Sequence, residues 1–200
     1  MTEREPLAEP ADELSSAVEA ARHGDEHAFR ALYRAVQPGL LRYLQVLVGA
    51  DAEDVASETW LHVIKDLHRF KGDGQGFRRW AVTIGRHRAL DHLRHHQRRP
   101  SLPTPIEALA ELPDTDSTEN LALQALSTNA ALALIAALPR DQAEAVLLRV
   151  VIGLDAESAA QVLGKRAGAV RTAAYRGLRR LNDALHSTPE PDVSDTEYGL

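Results

Sequence analysis

The sequence predicts an all-α protein: two small helical domains joined by a flexible Pro-rich acidic linker, the second domain containing a helix-turn-helix. Three observations predict it. Apolar residues recur at helical spacing in segment after segment, while Val and Ile nowhere form the alternating, turn-bounded runs of strands. Hydrophobic residues make up 44% of the chain but aromatics only 4%, so the core must be built from Ala, Leu, Val and Ile, and Ala and Leu favour helix. Residues 100–118 break the periodicity with four prolines and several acids, and few large apolar groups.

Leu14–Arg22 reads as a short amphipathic helix ended by His23-Gly24. Asp25 caps a second helix with apolar positions at Phe29, Leu32, Tyr33, Val36, Leu40, Leu41, Leu44 and Leu47; Pro38 is expected to kink or split it, and Gly49 ends it. Asp51 starts a third, whose early acids Asp51, Glu53, Asp54 and Glu58 complement the helix dipole. Its apolar stripe reads as Val55, Thr59, Leu61, Val63, Ile64, Leu67 and Phe70. "KGDGQG" then reads as a mobile turn; no Lys-Ser/Thr follows and no strand precedes, so it is not a phosphate loop. The fourth helix, Phe77–Arg99, places Phe77, Trp80, Ala81, Ile84, Ala89, Leu90 and Leu93 on its apolar faces. Seven arginines (78, 79, 86, 88, 94, 98, 99) and one acid, Asp91, take the rest. Beyond the linker come helices at Glu119–Ala137, Arg140–Ile152, Asp155–Leu163 and Ala167–Leu185, separated by Pro139, Gly153 and Gly164. The expected division is a disordered acidic N-terminus 1–13, a first helical domain 14–99, the linker 100–118, a second helical domain 119–186 and a disordered acidic tail 187–200.

The net charge of −6 hides a pattern. Residues 1–28 carry eight acids and two bases, and residues 101–139 carry five acids and no base. Against this background stand two basic islands, 78–99 and 165–180, the second with six bases and no acid. Two such islands on helices suggest two contacts with one long polyanion, against the plainer reading of solvated arginine faces. The chain has no cysteine, which excludes a disulfide scaffold and a thiolate metal site and fits a reducing cytoplasm. The N-terminus lacks the apolar core of a signal peptide, and no apolar run reaches the roughly 18 residues of a membrane span. A cytoplasmic protein without membrane insertion is expected.

The segments 155–163 and 167–181, joined through Gly164, have helix-turn-helix spacing, with Ala159 and Ala160 small enough for close crossing. Thr172, Tyr175, Arg176 and Arg179 follow i, i+3, i+4, i+7 and share a face; with Arg171 they are the candidate duplex-DNA readers. In the first domain, Phe70, Phe77 and Trp80 beside arginines suit stacking on single-stranded bases, although core burial explains Phe77 and Trp80 at least as well. The acidic face from Asp51 to Glu58 suits a basic partner. His92 and His96 are one helical turn apart, with His95 nearby, but without cysteine, and with Asp91 the sole nearby acid, no metal site is expected. No nucleophile–base pair is supported by spacing, which does not reveal triads assembled in space, and no cofactor is expected.

Three stretches, in this order, resemble the extracytoplasmic-function (ECF) group of bacterial RNA polymerase sigma factors: "DAEDVASETWLHVIKDLHRF", "FRRWAVTIGRHRALDHLRHHQRR" and "LPRDQAEAVLLRVVIGLDAESAAQVLGKRAGAVRTAAYRGLRRL". The resemblance implies that residues 14–99 are sigma region 2, binding the polymerase clamp helices and opening the minus-10 element. It implies that 119–186 are region 4, binding the polymerase flap and reading the minus-35 element. Asp51, Asp54, Glu58 and Leu61 would dock on core polymerase. Phe70, Ile84 and His87 would line the pocket of a flipped base, with Trp80 and Asp91 on the same melting surface and Arg88 and Arg94 holding phosphate. Arg171, Thr172, Tyr175, Arg176 and Arg179 would read minus-35. The acidic linker would follow the RNA-exit path, and an anti-sigma protein is an expected partner. Departures from the family pattern are His87 where Asn is usual, Ser57 where Gln is usual, Ala169 in place of a helix-capping Thr, and Ala173 at a frequently basic position. Two other readings compete: a helix-turn-helix regulator acting alone on duplex DNA, and a metal-dependent hydrolase using His87, His92 and His96.

Overall fold

A computed structural model describes residues 10–98 and 119–186. The linker, the first residues of the N-terminus and the C-terminal tail, all assigned from sequence, lie outside the described residues. Among these residues every regular element is helical, in two regions. The first region holds α1 (Pro10–Arg22), α2 (Glu26–Val48), α3 (Ala52–Asp66) and α4 (Gly74–Arg98). The second holds α5 (Glu119–Ala136), α6 (Arg140–Val146), α7 (Ala156–Leu163) and α8 (Ala167–His186).

Local chemistry sets most boundaries. The Asp25 carboxylate accepts hydrogen bonds from the His27 and Ala28 amides at the start of α2. Asp155 does the same for α7, accepting from the Ser158 amide at 2.6 Å. Gly164 leaves α7 in the left-handed conformation, φ +64° and ψ +34°, which glycine adopts without steric cost.

Four expectations are corrected. α1 begins at Pro10, so residues 10–13 form its first turn instead of belonging to a disordered N-terminus. Of the kink or split expected at Pro38, the split is absent: α2 runs unbroken through it. "GDGQG" is not a mobile turn: Asp73 accepts a 2.7 Å bond from the Gly76 amide and starts α4 at Gly74. Gly74 is held against α1; a Cβ there would lie 2.7 Å from Leu14 Cβ. Finally, Leu61 and Ile64 leave the apolar stripe of α3 for solvent, 68% and 56% exposed. Trp60 takes their place inside, donating its indole N–H to Gln37 Oε1 at 2.6 Å and packing edge-on to Phe29. The buried stripe is Ala52, Val55, Ala56, Thr59, Trp60 and Val63.

The two regions pack on one another. Gly39 of α2 brings its backbone against the segment of π-type turns that follows α6, Leu147–Val151, where a Cβ would lie 3.2 Å from Ile152 Cδ1. At the centre of this contact the Glu144 carboxylate of α6 is buried. One oxygen accepts from Arg86 Nε of α4 at 2.7 Å and from the Tyr43 hydroxyl of α2 at 3.4 Å. The other accepts from Arg140 Nε at 3.0 Å. Burial by itself would lower the Arg86 pKa, but its bond to Glu144 and that charge hold it above the ordinary value. Burial, and then the Glu144 charge, push Tyr43 far above the ordinary phenol value, so it stays a donor.

Replacing Glu144 by Leu leaves the Arg86 guanidinium buried without its counter-charge, and should cost about 3–5 kcal/mol. The double variant Arg86→Leu, Glu144→Leu should recover most of that loss, read as thermal unfolding midpoints. The backbone hydrogen bond from Ser158 is the main cause that lowers the Asp155 pKa. Its capping contribution is therefore present above the ordinary carboxylate range and lost as pH falls through the lowered folded value. Asp155→Ala should cost about 0.5–2 kcal/mol at neutral pH, and the difference from wild type should close on acidification.

Candidate nucleic-acid interface

The basic stretch of α4 is divided by packing. Phe77, Ala81, Val82 and Ala89 are buried, and Gly85 approaches α2 so closely that a Cβ would lie 2.8 Å from Leu40 Cδ1. With that face committed, Trp80, Ile84, His87 and Asp91 follow one another at spacings of one turn along a more open face. Phe70, just before α4, stacks on Trp80 with ring centroids 4.9 Å apart and planes 25° from parallel. Both rings are half-buried, whereas Phe77, edge-on to Phe70, is fully buried. The structure thus separates the aromatics that sequence left ambiguous: Phe77 is core, and the Phe70–Trp80 pair sits at the edge of the core beside exposed Arg69 and Lys71, which sequence reasoning did not single out.

The arginines are not equivalent. Arg86 is turned inward to Glu144. Arg88, assigned to phosphate, directs Nη2 at the His62 ring of α3, 2.8 Å from Nε2. Arg94 is exposed and pairs with Asp91 at 2.9 Å. His87 is exposed and lies apart from the pairing of His92 with His96, which removes the shared His87, His92 and His96 site of the hydrolase reading.

On α3, Asp54, Glu58 and Leu61 share an exposed face that Ile64 extends. Asp51, grouped with them from sequence, is instead half-buried and accepts a hydrogen bond from His92 Nε2 at 2.9 Å.

In the second region α7 and α8 form the expected helix-turn-helix. Val170, Ala174 and Gly177 of α8 face inward, and a Cβ on Gly177 would lie 2.7 Å from Val146 Cγ2. That contact turns Thr172, Tyr175, Arg176 and Arg179 outward together, with Tyr175 68% exposed. Arg171 is exposed too, but its guanidinium pairs with Glu157 of α7. Thr172 Oγ1 donates to the Gly168 carbonyl at 3.0 Å, which fixes its rotamer.

Residues 32–99 match the family model of Sigma-70 region 2, and residues 128–181 match that of Sigma-70, region 4. The chain is 34% identical over 181 residues to the ECF RNA polymerase sigma factor SigD of Mycobacterium tuberculosis, covering 87% of this chain and 84% of that protein. It is 37% identical over 179 residues to the ECF RNA polymerase sigma factor ShbA of Streptomyces griseus, covering 84% and 93%. In fold it is similar to the sigma factor RpoE of Bartonella quintana, solved in complex with the anti-sigma factor NepR. That likeness has a TM-score of 0.62 at 24% identity, over 80% of this chain and 98% of that one. Among the described residues no helix is long and apolar enough to cross a membrane. Both family models, in order along one chain of helices, and relatives aligned over most of its length place this protein among the ECF RNA polymerase sigma factors.

Proposed function

We propose that this sigma factor binds core RNA polymerase through α3, opens the minus-10 element on α4 and reads the minus-35 element with α8. The observation that carries the reading is the half-buried Phe70–Trp80 stack at the foot of the Ile84, His87, Asp91 ladder. A protein that reads only closed duplex has no use for an aromatic platform beside a basic helix, whereas an unstacked base gains about 1–3 kcal/mol from one.

The docking face is Asp54, Glu58 and Leu61, with Ile64 added: carboxylates surround exposed aliphatic groups, as suits a basic, partly apolar partner surface. Asp51 belongs at its margin. On α4 the flipped base would meet Phe70, Ile84 and His87, and Arg94 would leave Asp91 for a backbone phosphate. Arg88 acts from its place against His62. His87 presents an imidazole where the family usually presents a carboxamide, so the preferred minus-10 base is expected to differ. On α8, Arg176 and Arg179 supply positive charge in the major groove, with Thr172 and Tyr175 alongside. The regions 14–99 and 119–186 act as the two promoter-binding units, and an anti-sigma protein and a cytoplasmic location complete the reading.

Added to sigma-free core polymerase with fragmented genomic DNA, the protein should produce discrete transcript starts sharing two upstream elements, and Glu58→Lys should abolish them. A folded protein that binds duplex DNA alone and yields no such starts would favour the lone regulator. Trp80→Ala and Phe70→Ala should lower promoter opening by about 1–3 kcal/mol each, read by permanganate reactivity of the opened thymines. Templates with a pre-opened bubble should restore both variants.

A further inference from the structure

His92 and His96 lie on consecutive turns of α4, their ring centroids 4.3 Å apart. In sequence the pair has no cysteine and only Asp91 as a nearby acid, so no metal is expected there. The fold supplies another acid. Asp51, in the 3-10 turn Gly49–Asp51 that leads into α3, brings Oδ2 to 2.9 Å from His92 Nε2. One ligating atom from each of the three side chains falls within 4.8 Å of the other two.

We propose that Asp51, His92 and His96 bind a borderline divalent transition-metal ion of the zinc(II) class. Two imidazole nitrogens and one carboxylate oxygen are the donor set such ions take, with water completing the coordination. The absence of cysteine disfavours the soft ions, and the two imidazoles disfavour calcium and magnesium.

A second observation concerns Asp51 itself. It stands at the N-cap position of α3, where an aspartate ordinarily bonds the free amides of the first turn. Its side chain makes no such bond and is directed to His92 instead. Its place is fixed by burial on both sides: Ala52 packs inward on α3 and Ala89, one turn before His92, packs inward on α4. The helix pair therefore holds the carboxylate against the His92 ring before any ion arrives, with the His96 ring one turn further along α4.

The fit requires only a small adjustment. Donors around a tetrahedral ion at about 2.0–2.2 Å stand roughly 3.4 Å apart. The Asp51–His92 pair is closer than that, so an ion would part the two and draw His96 in. His96 is exposed and free to change rotamer without disturbing the core. Binding would tie the start of α3 to the last turns of α4 and add two positive charges at their junction. It would also withdraw the Asp51 carboxylate from the margin of the proposed docking face. The ion-binding claim itself does not depend on that docking assignment.

The test uses the full chain, freed of any histidine tag and of metal, titrated with Co(II) and followed by its visible ligand-field absorption. One equivalent should bind and be displaced by Zn(II). His96→Ala and Asp51→Asn should each weaken binding about tenfold or more, equivalent to about 1.4 kcal/mol. His95→Ala should leave it unchanged. Zn(II) should raise the unfolding midpoint of wild type but not of His96→Ala, whose circular dichroism should match wild type without metal. The proposal is overturned by absence of micromolar binding, or by binding that survives His96→Ala and Asp51→Asn or is lost in His95→Ala.

Discussion

The buried carboxylate of Glu144 is the interaction on which the arrangement of the two regions depends. A carboxylate taken out of water is costly unless charged donors surround it. Here the donors come from three helices: Arg86 from α4, Tyr43 from α2 and Arg140 from its own α6. Glu144 and Arg86 cannot be removed singly without leaving the other charge in the contact without its partner, whereas Arg140 is largely exposed. The pair also contributes direction, since a guanidinium–carboxylate contact tolerates less sliding than the apolar packing of Ile152 on Gly39 beside it.

That one bond also sorts the charge of α4. The sequence shows seven arginines crowded on one segment and offers no means of ranking them. Folding spends Arg86 on Glu144 and sets Arg88 against His62, while Arg94 remains in solvent with Asp91. A surface that reads as uniformly basic in one dimension is a graded one in three, with a structural cation at its inner edge and exchangeable ones outside.

The helices were legible because their signals are local. Asp25, Asp155, Gly49 and Gly164 announce caps within one turn, and each ends or starts a helix where the spacing of apolar residues says it should. The stripe of α3 departs from its periodicity where two apolar residues, Leu61 and Ile64, occupy an exposed face; periodicity marks a face but does not separate an aliphatic side chain in the core from one in solvent. Glycines at 74 and 76 looked like breakers, yet α1 lies too close to Gly74 for any larger residue, a fact set by Leu14 far away in the chain. The helix-turn-helix face followed directly from spacing. The partners of Arg86, His92 and Arg88 did not, since each pair joins residues 58, 41 and 26 positions apart.

If α8 reads the minus-35 element as proposed, the ion pair between Arg171 and Glu157 bears on search along DNA. Both side chains are exposed, so the bond is weak and open to competition from a phosphate. While it holds, one cation of α8 is masked by its own scaffold and releases no counterion on a chance encounter. Non-specific affinity then falls less steeply with salt, by about 0.9 in the logarithmic slope for that one phosphate. A site that offers Arg171 a better acceptor than Glu157 recovers the contact, whereas a random stretch of backbone competes for it at little advantage. Under that reading the acid on α7 would act as a local selectivity filter, weakening residence on the wrong sequence more than on the right one.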